Sequence, residues 1–406
     1  MFEQFKTIAD GMFTPDDRIL LAVSGGVDSM VMLALFCRTN YHFAVAHCNF
    51  SLRGEESDGD TELVVDYCAA QGILLHTVRF DTYAEMARSG DSLQMAARKL
   101  RYDWFGELAE KHGYTKIAIA HNSGDTIETF FINLLRGTGV RGLAGIAVAR
   151  ERIVRPLMTF SRPMIEQYAV FHKIPWRNDS SNNGTKYLRN KLRHIVLPQL
   201  REIESDFDAV MLADMGRVTD AVSFIDRMIG EIRDKSTSLY RGRTTIALSV
   251  VAQYEPYHFV LYELLSPYGF NATQVAEIVS AGDGCSRFVS ECYEGVLSRG
   301  LFIISPRDFV DRRGERVIEI LGKDDDFMFD LLPVGAVASF SPSSAYFDAD
   351  KIIFPLTVRS WHEGDFFVPF GMTGRKKLSD FFVDSKISVI DKQDVLLLVN
   401  GNGDIL

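Results

Sequence analysis

Up to about residue 160, short apolar runs alternate with longer amphipathic stretches. Five runs predict strands: RILLAVS (18–24), HFAVAHCNF (42–50), ILLHTVRF (73–80), KIAIAH (116–121) and RIVRPL (152–157). The stretches between them are mostly long enough for crossover helices, as in DTELVVDYCAAQG and MAARKLRYDWFGELAEKHG. Regular alternation of strand and helix predicts an α/β fold with an N-terminal doubly wound parallel sheet.

The pattern changes in the rest of the chain. Residues 162–203 look helical around a polar turn, RNDSSNNGT, and residues 204–303 are mostly helical with few strong strand signals. From residue 304 onward, the short runs RVIEIL, SAYFDAD, LTVRSW and VLLLVN indicate strands. We therefore predict three domains: an α/β domain over 1–203, a small helical domain over 204–303 and a small β-rich domain over 304–406.

The segment LLAVSGGVDSMVML joins the first strand to the first crossover helix. Gly25 and Gly26 allow positive φ and a close approach of a ligand to the backbone. Amides of such a turn and of the helix N-terminus converge in a way that suits an anion. The alternative is structural, with Asp28 or Ser29 simply capping the helix. The loop matches neither the lysine-containing phosphate loop nor the three-glycine dinucleotide motif.

Polar residues follow other predicted strands, where ligands of parallel sheets bind. His47 follows the second strand, and the segment from His121 to Asp125 follows a later one. Asp125 and Glu128 have the spacing of a capping box, which is the structural interpretation. At the carboxyl edge of the sheet, the same carboxylates could instead hold Mg²⁺ or the ammonium group of a substrate.

Two groups of arginines lie near this predicted edge. Arg98 and Arg101 are three residues apart on one helix face, where they could neutralise charge on a transferring phosphoryl group or form surface ion pairs. The segment LLRGTGVRGLAG adds Arg136, Arg141 and four glycines. It predicts a flexible cationic loop beside a nucleotide site.

The net charge of −10 argues weakly against a nucleic-acid partner, but the basic residues are unevenly distributed along the chain. The stretch KYLRNKLRHIVLPQLR (186–201) holds five basic residues and no acid, and Arg375-Lys376-Lys377 forms a second basic cluster. Solvated helix faces would explain either cluster, but the two together favour a nucleic-acid surface. No apolar run approaches the length of a membrane span and no secretory leader opens the chain, so we expect a cytoplasmic protein.

Six motifs occur in one order: SGGVDS, HCNFSLRGEESD, AARKLRY, AHNSGDTIETFFINLLRGTGVRGLAG, RPLMTFSRPMI and NDSSNNGTKYLRNKLRHIVLPQL. This series resembles the tRNA(Ile)-lysidine synthetases, which belong to the ATP pyrophosphatase (PP-loop) enzymes. The segment LTVRSWHEGDFFVPFGMTGRKKLSDFFVDSKIS is similar to the last domain of that family. The resemblance implies an adenine nucleotide alpha hydrolase-like catalytic domain.

The resemblance also implies a reaction, in which ATP adenylates the C2 oxygen of the wobble cytidine of a tRNA(Ile) with the anticodon CAU. The ε-amine of L-lysine then displaces AMP, and codon reading changes from AUG to AUA. The implied cofactors are ATP and Mg²⁺, and a homodimer is kept as a candidate assembly. An ammonium with a pKa of about 10.4 must first lose a proton, for which His47 and Asp125 are the two candidates.

Site residues follow from the same motifs. The resemblance assigns ATP binding to Ser24, Gly25, Gly26, Val27, Asp28, Ser29 and His121. The candidate catalytic residues are Asp28, His47, Arg98, Arg101 and Asp125, and the candidates for holding lysine or the metal are Asp28, Asp125 and Glu128. Contacts with tRNA are expected from Arg136, Arg141, Arg189, Asn190, Arg193, Lys376 and Lys377.

Two other interpretations compete with a lysidine synthetase. One is a PP-loop cytidine thiolase acting on tRNA, against which the five cysteines count because they form no C-x-x-C pair. The other is a nucleotide-binding or tRNA-binding module that has lost catalysis. The presence of Asp28, Asp125 and Glu128 argues against this second alternative.

Overall fold

The computed structural model describes residues 1–178, 188–240, 242–281, 286–307, 316–319, 330, 332–333, 345–385, 387, 392 and 395–406. The chain divides into two compact units, Met1–Ile225 and Asp226–Leu406, and each is treated by itself. Within the described ranges, no helix combines the length and apolarity needed to cross a bilayer.

The first unit is built on a six-stranded sheet of order β3-β2-β1-β4-β6-β5. Its strands are β1 (Arg18–Ala22), β2 (His42–Asn49), β3 (Leu75–Arg79), β4 (Lys116–Ile119), β5 (Ala149–Arg150) and β6 (Ile153–Val154). All neighbours pair in parallel except β5, which is antiparallel to β6. The five predicted strands and the parallel sheet are confirmed. β5 was not predicted because two residues carry no periodicity.

Eleven helices belong to this part of the chain as described: α1 (Phe2–Met12), α2 (Val27–Phe36), α3 (Glu55–Gln71), α4 (Thr82–Ser89), α5 (Leu93–His112), α6 (Ser123–Arg136), α7 (Val140–Leu143), α8 (Arg162–Phe171), α9 (Leu188–Lys191), α10 (Leu197–Ile203) and α11 (Phe207–Ser236). A π-helical turn, Leu192–Val196, joins α9 to α10, and α11 contains the unit boundary. The helices predicted within 162–203 are confirmed. Most of the predicted polar turn, residues 179–185, lies outside the described residues.

Both faces of the sheet are covered around β1, which explains why this central strand is an almost continuous apolar run. Successive side chains of a strand point to opposite faces. Accordingly Ile19 and Leu21 of β1 pack in one core with α2 and α8, whereas Leu20 packs in a second core with Phe105 of α5. Phe36 of α2 anchors the first core, and its ring meets other aromatic rings edge-on or tilted: Phe5, Phe13, Tyr41 and Phe43.

The second unit contains a five-stranded antiparallel sheet of order β7-β8-β11-β10-β9. Its elements are β7 (Thr237–Tyr240), β8 (Arg243–Ala247), α12 (Leu248–Val251), α13 (Tyr257–Leu265), a 3-10 turn (Ser266–Tyr268), α14 (Ala272–Ser280), β9 (Ser286–Val289), β10 (Tyr293–Ser298) and β11 (Leu301–Pro306). The expectation of few strands between 204 and 303 is therefore wrong. These strands are short and mix polar with apolar residues, so their alternation is weak. Asn271 is the N-cap of α14, and its side chain accepts a hydrogen bond from the Gln274 amide.

The C-terminal part of this unit holds two small ladders. One joins β12 (Arg316–Ile318), β13 (Leu356–Ser360) and β16 (Leu396–Val399), and the other joins β14 (Phe366–Phe367) and β15 (Lys376–Lys377), which leads into α15 (Leu378–Asp384). Three of the four predicted β-runs contain these strands. SAYFDAD does not, because residues 345–348 lack regular structure and Ala349–Lys351 forms a 3-10 turn, while residue 344 lies outside the description.

Replacing Phe36 with alanine should lower the free energy of unfolding by about 3–5 kcal/mol, because Phe36 is fully buried among aromatic rings. Phe171→Ala is the matched control, since its ring is 81% exposed and its removal should cost less than about 0.5 kcal/mol. Urea unfolding measures both changes. Similar losses for the two variants would contradict the assignment of the core.

Candidate functional site

A cleft of about 1100 Å³ opens in the first unit at the carboxyl edge of the parallel sheet. It is lined by the loop after β1, the residues after β4, the start of α8 and the α9–α10 segment. The segments Ser24–Ser29 and His121–Asp125 meet here, as the ends of parallel strands require. The sequence-predicted residues that line it are Ser24, Gly26, Val27, Asp28, Ser29, Arg101, His121, Asp125, Glu128, Arg189, Asn190 and Arg193.

The loop after β1 is shaped by its own hydrogen bonds. Gly25 has φ +90°, a backbone conformation that favours glycine, and a Cβ there would be in van der Waals contact with Asp60 at 3.4 Å. The Ser29 hydroxyl donates to the Gly26 carbonyl (2.9 Å) and accepts from the Ser24 amide (3.1 Å). The N-cap of α2 is Gly26 without a side-chain cap, so the capping role considered for Asp28 or Ser29 is wrong. The Asp28 side chain faces the cleft instead.

Asp28 is held from two sides of the cleft. Its Oδ2 accepts from Nη1 of Arg162 at 2.6 Å, and its Oδ1 accepts from the side-chain Nδ2 of Asn122 at 3.1 Å. Burial raises the pKa of the Asp28 carboxyl, and Asp125 adds to the rise, while Arg162 and Asn122 oppose it. A carboxylate held in this way is more basic than an exposed one and is fixed in orientation.

The α6 N-terminus contains a capping box, but not at the predicted residues. Asn122 is the N-cap, its Oδ1 accepts from the Gly124 amide (2.8 Å), and Oδ2 of Asp125 accepts from the Asn122 amide (3.0 Å). The box therefore runs from Asn122 to Asp125, and its assignment to Asp125 and Glu128 is wrong by one helical turn. Glu128 consequently lies inside the helix, where its carboxylate can serve another purpose.

Glu128 is a buried carboxylate held by two arginines. Arg193 contacts both of its oxygens (2.5 and 2.9 Å), and Nε of Arg189 donates to Oε2 (2.7 Å). The Glu128 side chain is 4% exposed, whereas Arg189 and Arg193 are 42% and 35% exposed. Both arginines also approach Oδ1 of Asp125, at 3.5 and 3.4 Å. The arginines predicted to contact tRNA are thus bound to the carboxylates predicted to hold lysine or metal.

His121 is neutral and has a defined tautomer. Burial lowers the pKa of His121 to about 3, and the charge of Arg155 contributes. Nε of Arg155 donates to Nδ1 of His121 at 3.0 Å, so Nδ1 carries the lone pair. The remaining ring proton is then on Nε2, which makes this side chain a hydrogen-bond donor toward a ligand rather than a base.

The structure does not bring His47 to the cleft. It is 2% exposed, and its ring nitrogens contact the Val23 carbonyl (2.9 Å) and the Thr61 hydroxyl (3.0 Å). Burial also lowers the pKa of His47. This geometry is that of a structural histidine joining β2 to the loop after β1 and to α3, and it gives no support to a role as base.

The remaining predicted residues differ in position. Of the pair on α5, Arg101 lines the cleft and packs over Phe50 at 5.1 Å, whereas Arg98 is exposed over Tyr102 and is not among the described lining residues. Arg136 and Arg141 lie outside the described lining, at the end of α6 and on α7. In the second unit, Lys376 is paired with Asp384 (2.6 Å) and Lys377 is exposed.

Sequence reasoning missed Asn122, Arg162 and Arg177, all of which line the cleft. Asn122 could have been found, because an asparagine three residues before an acid is itself a capping-box signal. Arg162 is the first residue of α8 and precedes Pro163, which is a signal for a helix start. The sequence gives no sign that Arg162 pairs with Asp28, 134 residues away.

Asp28 and Asp125 suit a metal ion whose other ligands are phosphate oxygens. Among the described residues, no cluster of three or more His, Cys, Asp or Glu side chains could hold a metal by itself. Asp28 and Asp125 both line the cleft. Mg²⁺ at nucleotide sites is commonly bound by one or two carboxylates together with phosphates, and these two residues fit that arrangement.

Comparisons with known proteins agree with one another. A family model described as a PP-loop domain matches residues 2–200, and one described as a TilS substrate binding domain matches residues 240–307. A tRNA(Ile)-lysidine synthase of Bacteroides thetaiotaomicron is 34% identical over 400 residues, covering 96% of this chain and 90% of the relative. The protein of the same name from Parabacteroides distasonis is 33% identical over 398 residues, with the same coverage. One from Chlorobaculum tepidum is 41% identical over 228 residues, which are 55% of this chain and 66% of the relative.

Glu128→Gln should lower the free energy of unfolding by about 1–3 kcal/mol, because the buried side chain loses its charge-assisted hydrogen bonds to two arginines. Asp214→Asn is the control, since Asp214 and its partner Arg217 form an exposed pair on one helix and should contribute less than about 1 kcal/mol. Urea unfolding compares the two. Equal losses would mean that the buried network contributes no more than a surface ion pair.

Proposed function

The chain belongs to the tRNA(Ile)-lysidine synthase family, and we propose that the cleft of its first unit carries out both steps of lysidine formation. The protein is an ATP-using PP-loop enzyme that forms a C–N bond. In the first step, the C2 oxygen of the wobble cytidine attacks the α-phosphorus of ATP and pyrophosphate leaves. In the second, the lysine ε-amine attacks C2, loses a proton, and AMP leaves with the former C2 oxygen.

One observation carries the proposal: the loop between β1 and α2 and a pair of carboxylates on α6 line the same cleft. The backbone of Ser24–Ser29 leads into the N-terminus of α2, which suits phosphate. Asp125 and Glu128 on α6 suit an ammonium group. A reaction that joins an activated phosphate ester to an amine needs both sites side by side.

For the adenylation step, we assign the triphosphate to Ser24–Ser29. Arg101 would neutralise charge that builds up on the α-phosphate, because it lines the cleft whereas Arg98 does not. His121 would donate its Nε2 proton to a phosphate or to the C2 oxygen. Asp28 would hold Mg²⁺, which supplies charge neutralisation for the phosphates when bound.

For the second step, we assign lysine to Asp125 and Glu128. Arg189 and Arg193 occupy these carboxylates in the tRNA-free chain, so they would have to move to backbone phosphates of the anticodon region when tRNA binds. Their departure leaves negative charge that the substrate ammonium compensates. Of the two candidate groups for the amine proton, Asp125 lines the cleft and His47 does not, so we propose Asp125.

The rest of the chain would position the tRNA. We propose that residues 304–406, with Lys376 and Lys377, contact the acceptor side, and that Arg136, Arg141 and Asn190 add contacts near the anticodon. A tRNA substrate also supports a cytoplasmic location.

The test is incorporation of labelled lysine into a tRNA(Ile) transcript with the anticodon CAU, in the presence of ATP and Mg²⁺. Wild-type protein should label this transcript and not one with a changed wobble base. Asp28→Ala should reduce the rate at least about 100-fold, since it removes a carboxylate fixed beside the phosphate loop. Asp214→Ala is the control and should keep full activity, because Asp214 is not among the described residues that line the cleft. Failure of the folded wild type to incorporate lysine while it still forms AMP would refute the assigned reaction.

Arg189 and Arg193 have two proposed roles, which are to bind tRNA phosphates and to pair with the carboxylates. Arg193→Ala should separate these roles. We expect the Kd for tRNA to rise about fivefold, since one phosphate contact is lost. The Kd of the tRNA-free protein for lysine should fall, since Asp125 and Glu128 lose a competing cation. Filter binding and calorimetry measure the two constants. The control is Arg217→Ala, which removes an exposed ion pair with Asp214, since neither residue is among the described residues lining the cleft. Weaker lysine binding by Arg193→Ala would contradict the exchange.

A further inference from the structure

A glycine inside helix α3 makes room for an arginine beside the loop Ser24–Ser29, which is called the phosphate loop below. Gly59 lies in the first half of this helix, where glycine costs about 1 kcal/mol relative to alanine. A Cβ at this position would lie 2.8 Å from Cζ of Arg177 and within 3.1 Å of both its Nη atoms. The guanidinium of Arg177 therefore packs directly against the helix backbone, in space that only glycine provides.

Arg177 shares one carboxylate with a second arginine. Its Nε donates to Oδ1 of Asp60 at 3.1 Å, and Nη2 of Arg53 donates to Oδ2 at 2.9 Å. Arg53 also forms an ion pair with Glu56 at 3.6 Å, and the Glu56 side chain is half exposed. The Asp60 side chain is 14% exposed, so this carboxylate is enclosed between the two guanidinium groups and fixes both.

This cluster is attached to the phosphate loop itself. The amide of Arg177 donates to the Gly25 carbonyl at 3.0 Å, and Asp60 lies 3.4 Å from the space that a Cβ on Gly25 would fill. Arg53, Asp60 and Arg177 all line the same cleft as Ser24 and Gly26. The loop and the two arginines thus form one wall.

We propose that Arg53 and Arg177 bind the β- and γ-phosphates of ATP, and hence the departing pyrophosphate, with Asp60 as the residue that positions them. The proposal rests on the assignment of the triphosphate to the loop after β1. Arginine suits phosphate through its fork of donors, and fixing the side chain in advance reduces the entropy lost on binding. The two guanidinium groups that share Asp60 bring fixed N–H donors to the place where a leaving group of high negative charge collects.

The experiment compares ATP, pyrophosphate and AMP as ligands of the full-length protein by calorimetry with Mg²⁺. Arg177→Ala should raise the Kd for ATP and pyrophosphate about tenfold, a loss of about 1.4 kcal/mol. The Kd for AMP should not change, because AMP lacks the β- and γ-phosphates. Gly59→Ala should have a similar but smaller effect, because its methyl group displaces the guanidinium while the charge remains.

Arg79→Ala is the matched control. Arg79 pairs at 3.0 Å with Asp58, a neighbour of Asp60 on the same helix, but is not among the described residues lining the cleft. Equal weakening of all three ligands by Arg177→Ala would show a structural role only and overturn the proposal, as would unchanged pyrophosphate binding. Arg177→Lys retains charge and packing volume, so its intermediate Kd for pyrophosphate serves as the test if the alanine variant fails to fold.

The outcomes also separate this proposal from the assigned reaction. A wild-type protein that binds ATP and incorporates lysine, but whose Arg177→Ala variant binds pyrophosphate normally, would overturn the arginine site alone. A wild-type protein that binds neither ATP nor pyrophosphate would overturn both.

Discussion

Charge compensation of buried carboxylates is the constraint on which the cleft depends. Asp28 from the phosphate loop is paired with Arg162 of α8, and Glu128 of α6 is paired with Arg189 and Arg193 from the α9–α10 segment. Removing a carboxylate from water is costly unless a cation and hydrogen bonds replace the solvent. Each pair therefore ties an early segment of the chain to a later one, and together they set the shape of the site.

Because the arginines compensate the carboxylates, the ligand-free cleft already holds cations at the position proposed for the substrate ammonium. Guanidinium groups stand against the carboxylates where the proposed reaction brings an ammonium ion, so a cation is present in both states. In the proposed exchange, the ammonium group of lysine would replace part of the positive charge that the two arginines carry to tRNA phosphates. Exchange of this kind avoids leaving Glu128 buried and unpaired, which is the costly alternative.

The sequence predicted those parts of the structure that have a local signal. The strands β1 to β4 follow from apolar runs, and the anion-binding loop follows from two glycines at a strand-to-helix junction. The strands β7 to β11 could not be recognised, because they are short and their pairing depends on distant segments. Arg162 is 134 residues from Asp28, and Arg189 is 61 residues from Glu128. No local sequence pattern indicates pairs at such distances. His47 was overvalued because its place after a strand is visible in sequence, whereas its two hydrogen-bond partners are not.

One carboxylate between two arginines occurs twice in the cleft, and the two clusters differ in how they are attached. Around Asp60, Arg177 is fixed by a backbone hydrogen bond to Gly25 and by packing against Gly59. Around Glu128, the arginines come from a helical segment with a π turn, and their guanidinium groups contact the carboxylate. A cluster built into the loop suits a group that binds identically in every cycle, as pyrophosphate would. A cluster held by side chains suits partners that are exchanged, which is what an enzyme joining lysine to tRNA requires.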